Sequence, residues 1–222
     1  MVRVIGILGG TFDPVHHGHL RCALEVQQEC GLEKVLFIPC GLPPHRRQPA
    51  ADAACRLAML EAATCDYPGF EVDARELRRE GPSYTVDTLL SLREELPDAS
   101  LSLLLGMDAF LGLPSWSRWE RLIELAHLIV MCRPGADAGA AAAPLRELLK
   151  ARRVECPREL RQRPAGGILL QQVTQLDISA SRIRDSIARG RSVRYLLPDR
   201  VIDYIRRERL YLDVPKGETE LA

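Results

Sequence analysis

Short apolar runs alternate with amphipathic segments along most of this chain, and that alternation narrows its fold more than any other feature. Val4–Leu8, Val35–Ile38, Leu101–Leu105, Leu128–Met131 and Ile168–Leu170 read as buried strands, with Phe70–Val72 a shorter one. Between them the spacing predicts helices over His17–Cys30, Ala53–Thr64, Thr85–Leu96, Trp119–Ala126 and Leu145–Arg152. Strands alternating with helices give an α/β fold, a doubly wound parallel sheet with helices on both faces. Such sheets bind ligands beyond the carboxyl ends of their strands, where the strand order reverses.

The 222 residues are enough for one such domain, read as residues 1–213, with a polar, flexible tail at 214–222. Thirty basic residues balance thirty acidic ones, so no global field draws the protein to nucleic acid or to a membrane. Any phosphate site must come from local placement of Arg and His. The seven cysteines are scattered without a CxxC pair, which argues against a disulfide scaffold or a zinc cluster and for a reducing compartment. Arg3 and early glycines interrupt the apolar N-terminus, which reads as a strand, not a signal peptide. No run reaches the roughly 18 apolar residues of a membrane span, so the expected location is the cytoplasm. Pro134–Pro144 reads as a surface loop leading into a helix.

Two segments carry chemistry. In the first, Val4–Leu8 runs into Gly9-Gly10-Thr11-Phe12-Asp13-Pro14-Val15-His16-His17-Gly18-His19. Paired glycines after a strand let the backbone turn tightly and approach a ligand, and a helix starting near Val15 would bring free N–H groups there. His16 and His19 are three apart and share a helical face, whereas His17 points elsewhere. Two imidazoles beside a helix N-terminus suit a polyphosphate, as neutral donors or as cations. Asp13, His16, His17 and His19 also admit a metal site by residue type. The segment has neither P-loop nor GxGxxG spacing.

The second segment is Asp177-Ile178-Ser179-Ala180-Ser181-Arg182-Ile183-Arg184. Ile178, Ile183 and Ile187 mark the buried side of a helix beginning at Ser179 or Ser181. Where a capping box would place an acid, Arg182 and Arg184 stand instead, and cations in a first turn oppose the helix dipole by roughly 0.3–1 kcal/mol each. An external anion reverses that sign. Solvated arginines, or pairs with Asp177 and Asp185, are the plain alternative. Nucleic-acid binding by Arg182–Arg194 is disfavoured by sparse aromatics and zero net charge.

Together the segments resemble the HxGH nucleotidyltransferase superfamily, with its Gly-x-Phe-Asp-Pro-x-His-x-Gly-His and Ile-Ser-x-Ser/Thr-x-x-Arg motifs. Pro43-Pro44-His45-Arg46, Pro82-Ser83-Tyr84-Thr85, Leu105-Gly106-Met107-Asp108, Leu113-Pro114-Ser115-Trp116 and the stretch His127–Pro134 look like bacterial nicotinate-nucleotide adenylyltransferases, in that family's order. The resemblance runs from about Val4 to Leu212 and implies a Rossmann-like nucleotidyltransferase fold. It implies ATP and nicotinate mononucleotide as partners, Mg²⁺ accompanying ATP, no resident metal site, and room for a homo-oligomer.

It also implies roles. Gly9, Gly10, Thr11, Phe12, His16 and His19 would line the ATP site, with both histidines on phosphates. Ile178, Ser179 and Arg184 would hold the pyrophosphate end, and His16, His19 and Arg184 would act in catalysis. Gly106, Asp108 and Arg133 would surround the adenosine. Tyr84 and Thr85 would offer backbone N–H groups to the nicotinate carboxylate, Trp116 would stack on the pyridine, and Arg46 would meet the mononucleotide phosphate. Two departures stand out. Cys40-Gly41 replaces the asparagines some members carry before Pro-Pro-His, and Ser181 replaces a common Thr. On residue type alone, Trp116 and Trp119 also read as helix packing, Ser83–Thr85 as a cap, and Asp108 as a turn residue.

Overall fold

The computed structural model describes residues 3–43, 48–133 and 141–212. In chain order the elements are β1 (Val4–Gly10), α1 (His17–Glu29), β2 (Lys34–Pro39), α2 (Ala53–Thr64), β3 (Phe70–Val72), α3 (Thr85–Glu95), β4 (Ser100–Gly106) and α4 (Met107–Leu111). There follow α5 (Leu122–Leu125), β5 (His127–Cys132), α6 (Ala143–Arg152), β6 (Arg153–Val154), α7 (Pro157–Leu160), β7 (Ile168–Gln172), α8 (Ala180–Ala188) and α9 (Asp199–Arg207). Seven strands form one sheet in the order β3-β2-β1-β4-β5-β7-β6, and every pairing is parallel.

The strands are apolar almost throughout because both faces are covered. Val4, Leu8, Val35, Phe37, Leu104, Ile129 and Met131 pack on one face with α1, α2, α8 and α9. Their neighbours in sequence, Ile5, Ile7, Leu36, Ile38, Leu103, Leu105, Leu128 and Val130, pack on the other with α3, α5 and α6. The period-two alternation of side chains thus splits each continuous run between two cores.

The expected strands appear at their predicted places, each within two residues at either end. The segment Trp119–Ala126 differs. Trp119–Arg121 is a 3-10 turn entered through Arg118 at φ 51°, and only Leu122–Leu125 is α-helical. Ala126 must turn extended to start β5, so a longer helix has no room. Trp116 and Trp119 therefore belong to separate turns, not one packed helix. The reading of Pro134–Pro144 as loop also needs amendment: residues 134–140 lie outside the described set, and Ala143 and Pro144 open α6, where proline's missing N–H costs nothing. Helix α9 was not anticipated: charged residues fill much of it, while Val201, Ile202 and Ile205 are buried and Tyr204 packs beside them. The tail at 214–222 lies outside the described residues.

At the end away from the ligand crevice, Arg93 gathers backbone carbonyls. Its guanidinium donates to the carbonyls of Ala99 at 2.7 Å and Leu125 at 2.6 Å, and to Pro97 and Pro164, each at 3.1 Å. It thereby ties the end of α3 to the segments entering β4, β5 and β7. Hydrogen bonds to a charged donor contribute about 1.5–3 kcal/mol each, less where water can substitute. Arg93→Leu should lower stability in urea unfolding by about 2–4 kcal/mol; an unchanged midpoint would show the clamp to be idle.

Candidate active site

The strand order reverses between β1 and β4, and their carboxyl ends bear Gly9-Gly10 and Gly106. A Cβ added at Gly9 or Gly106 would meet nothing within 4 Å, so open space lies above both strand ends. Gly10 is different: its missing Cβ makes room for the Phe12 ring, 3.0 Å from where that atom would be. Phe12, buried and at φ 49°, then turns the chain into a cis Asp13–Pro14 peptide.

Asp13 is a junction. Its carboxylate accepts hydrogen bonds from the backbone N–H of Ala50 at 2.7 Å and Ala51 at 3.1 Å, and from the Tyr211 hydroxyl at 2.7 Å. Its backbone carbonyl accepts from Arg184 at 2.6 Å, and the same guanidinium lies 3.6 Å from a carboxylate oxygen. Burial and this neighbouring carboxylate raise the Tyr211 phenol well above its ordinary range. Both Asp13 oxygens thus accept hydrogen bonds within the fold, and among the described residues no three His, Cys, Asp or Glu side chains are grouped to bind a metal.

Helix α1 begins where expected within two residues, with His16 at its N-cap. The rings of His16 and His19 stack at 3.7 Å between centroids, 20° from parallel. Phe12 packs edge-on against His19 at 5.2 Å. Gly18 leaves room for this arrangement, since a Cβ there would lie 3.0 Å from His16 Nδ1 and 3.6 Å from the Leu176 carbonyl. Burial lowers the His16 pKa to about 4, helped by His17, and lowers that of His19 to about 3, helped by His16. Two imidazolium rings so close would repel by roughly 4 kcal/mol at an effective dielectric near 20. Of the two readings open from the sequence, neutral donors is the one that holds near pH 7.

His19 Nδ1 accepts the backbone N–H of His16 at 3.2 Å, which leaves its proton on Nε2. The ring is thus oriented as a neutral donor. His16 Nδ1 is buried without a hydrogen-bond partner among the described residues.

The second segment lies against the first. Ser179 caps α8, its hydroxyl accepting the Arg182 N–H at 3.3 Å. Arg182 pairs with Asp177 in solvent at 3.4 Å, whereas Arg184 turns inward to Asp13. Further bridges run from the His17 N–H to the Leu196 carbonyl at 3.0 Å and from Cys22 Sγ to the Thr174 carbonyl at 3.6 Å. Ile178 packs on the core beside them. Two stretches about 165 residues apart in sequence are therefore tied together at one end of the sheet, the first bringing neutral imidazoles and the second a helix N-terminus with a guanidinium. That arrangement suits a polyphosphate.

The remaining candidates lie on other elements. Asp108 is exposed in the first turn of α4. Arg133, just past β5, donates to Gln175 Oε1 at 3.0 Å and borders an open recess of about 570 Å³ with Glu25, Gln172 and Thr174. Tyr84 is the N-cap of α3 but offers no side-chain cap, and the N–H groups of Thr85 and Val86 donate to no described residue. Trp116 lies half-buried against the second core. Arg46 lies outside the described residues.

Arg56, which the sequence reading passed over, is 1% exposed. It donates to the carbonyls of Thr11 at 2.9 Å and Cys40 at 2.7 Å, clamping the loops after β1 and β2 together. Its signal was available: a lone arginine in the otherwise apolar stretch from Ala53 to Leu60.

A parallel sheet with a phosphate-suited cradle at its switch point defines a nucleotide-handling protein, and residues 7–186 match the model of the cytidylyltransferase-like family. The chain is 52% identical over 205 residues to a "Probable nicotinate-nucleotide adenylyltransferase" of Acidithiobacillus ferrooxidans, covering 92% of this chain and 94% of the relative. It is 51% identical over 209 residues to the protein of that name from Methylococcus capsulatus, covering 94% and 99%. A solved structure titled Plasmodium falciparum nicotinic acid mononucleotide adenylyltransferase complexed with NaAD shares the fold, with a TM-score of 0.70 at 17% identity over 94% of this chain and 97% of that one. The chain belongs to the nicotinate-nucleotide adenylyltransferase family.

The electrostatics make a direct prediction. Because the folded pKa values of His16 and His19 lie below the ordinary 6.5, the unfolded chain takes up these protons first as pH falls. The stability they contribute is present above 6.5 and is lost as pH drops toward about 4. In NMR titration of the free protein, the ring signals of both should stay neutral down to about pH 5; a midpoint near 6.5 for either would refute the buried, stacked arrangement.

Proposed function

We propose that this chain transfers the adenylyl group of ATP to nicotinate mononucleotide in the cytoplasm, giving nicotinate adenine dinucleotide and pyrophosphate for NAD biosynthesis. The observation that carries the reading is the Asp13–Arg184 contact, which ties α8 to the loop that leads into the stacked histidines. A triphosphate laid between them meets His19 Nε2–H on one side and the Arg184 guanidinium with the α8 amides on the other.

In the reaction an oxygen of the mononucleotide phosphate bonds to the α-phosphorus of ATP, and the bond from that phosphorus to the pyrophosphate oxygen breaks. The attacking oxygen is already anionic, so no proton need be removed from it. The work left to the protein is bringing two anions into line and stabilising charge that moves onto the leaving group. Neutral histidines are suited to this: they donate hydrogen bonds without having to shed a proton afterwards. Ser179, Ile178 and Arg184 hold the departing pyrophosphate in this scheme. Gly9, Gly10, Thr11 and Phe12 form the floor, while Gly106, Asp108 and Arg133 surround the adenosine.

The acceptor binds across the crevice. The N–H groups at Tyr84 and Thr85 meet the nicotinate carboxylate at the positive end of α3, Trp116 covers the pyridine, and Arg46 takes the phosphate. Mg²⁺ brought with ATP would supply charge neutralisation on the phosphates; with both Asp13 oxygens already accepting hydrogen bonds, nucleotide and water would be its main ligands.

Pyrophosphate release from Mg-ATP should be fastest with nicotinate mononucleotide when it, nicotinamide mononucleotide and phosphopantetheine are compared in parallel. His19→Ala should lower kcat by about 10²–10³ with a smaller change in KM for ATP. Near-normal turnover in that variant would remove His19 from the chemistry, and preference for another acceptor would replace the substrate reading.

A further inference from the structure

Glu76 is a buried carboxylate with no place in the mechanism above. It is 7% exposed and lies in the 3-10 turn Arg75–Arg78. Its Oε1 accepts the Thr88 hydroxyl at 2.7 Å, and burial raises its pKa, with the Thr88 and nearby Ser83 hydroxyls opposing that rise. Ser83 Oγ in turn accepts the backbone N–H of Gly41 at 3.0 Å, and Thr88 Oγ1 accepts from Arg79 at 3.3 Å. The backbone follows the same path, with the Ser83 N–H bonded to the Leu42 carbonyl at 2.9 Å. Gly41 is packed so tightly here that a Cβ would meet the Glu76 carbonyl at 2.6 Å.

Ser83 and Thr88, the hydroxyls bonded to or beside Glu76, straddle the start of α3. Ser83 comes just before the N-cap Tyr84, and Thr88 stands one turn into the helix. Between them lie Tyr84 and Thr85, whose N–H groups donate to no described residue. No side chain caps this N-terminus, so its direction is set by what grips it from the flank. Burying a carboxylate is costly, and hydroxyl donors on both sides of the amides make good that cost only if the helix start holds one position.

We infer that Glu76 is a positioning residue for acceptor specificity: through Ser83 and Thr88 it fixes the first turn of α3 so that the free amides meet a planar carboxylate on the acceptor ring. The inference rests on the acceptor assigned above. A carboxylate and a carboxamide differ at that spot by one charge and two protons, and backbone N–H donors favour the group that only accepts. Displaced amides lose this preference first.

The test compares steady-state kinetics of Glu76→Leu, Glu76→Gln, Thr88→Val and the wild type. Glu76→Leu should raise KM for nicotinate mononucleotide about tenfold while KM for ATP stays within about twofold, and should shrink the preference for nicotinate over nicotinamide mononucleotide. Glu76→Gln keeps the acceptor oxygen for Thr88 and should restore most of the wild-type values. If Glu76→Leu does not fold, Thr88→Val decides, with the same asymmetry at about threefold. Both KM values rising together, or neither changing, overturns the inference. A wild-type enzyme that does not use nicotinate mononucleotide overturns the substrate reading instead, so the two failures are told apart.

Discussion

Asp13 is where the chain's distant parts are fastened together. One buried carboxylate receives two amides from the segment before α2 and the hydroxyl of Tyr211 from the far end of the chain, and the same residue's carbonyl holds Arg184. Charge-assisted bonds of this kind contribute about 1.5–3 kcal/mol each, and removing one partner strands the others. Arg56 adds a second fastening one layer away, through the carbonyls of Thr11 and Cys40. The crevice at the switch point is therefore defined by polar contacts between loops, while the sheet beneath supplies only a rigid floor. The apolar core could form without placing a single phosphate-binding group correctly.

Within that frame the histidines are tuned by burial and by each other. Stacked at 3.7 Å, they cannot both be cations at modest cost. The backbone bond to His19 Nδ1 then leaves the proton on Nε2. Arg184 and the helix it belongs to are tied to Asp13, three residues before His16. Local placement of these groups agrees with a chain whose basic and acidic residues cancel.

The strands were legible in the sequence because burial on both faces makes them short, continuously apolar runs bounded by turn residues. The meeting of the two motifs was legible only through resemblance: nothing local in Ile178–Arg184 says that Arg184 turns inward while Arg182 pairs with Asp177. Whether the imidazoles were neutral or charged stayed open, since desolvation is a property of the packed site. Asp13 was weighed as a metal ligand because its partners at Ala50, Ala51 and Tyr211 are unremarkable in sequence and lie 37 to 198 residues away. The Glu76 network was hidden for the same reason. Its members look like an ordinary polar loop and cap until the fold brings Gly41, Ser83 and Thr88 around one carboxylate.

The central claim, that one triphosphate is held jointly by the two distant segments, is tested most directly by a crystal structure with Mg²⁺ and a non-hydrolysable ATP analogue. The account predicts His19 Nε2 and the Arg184 guanidinium on oxygens of the same triphosphate, with His19 Nδ1 still accepting from the His16 amide. A triphosphate bound by only one of the two segments, or seated away from the ends of β1 and β4, would contradict it.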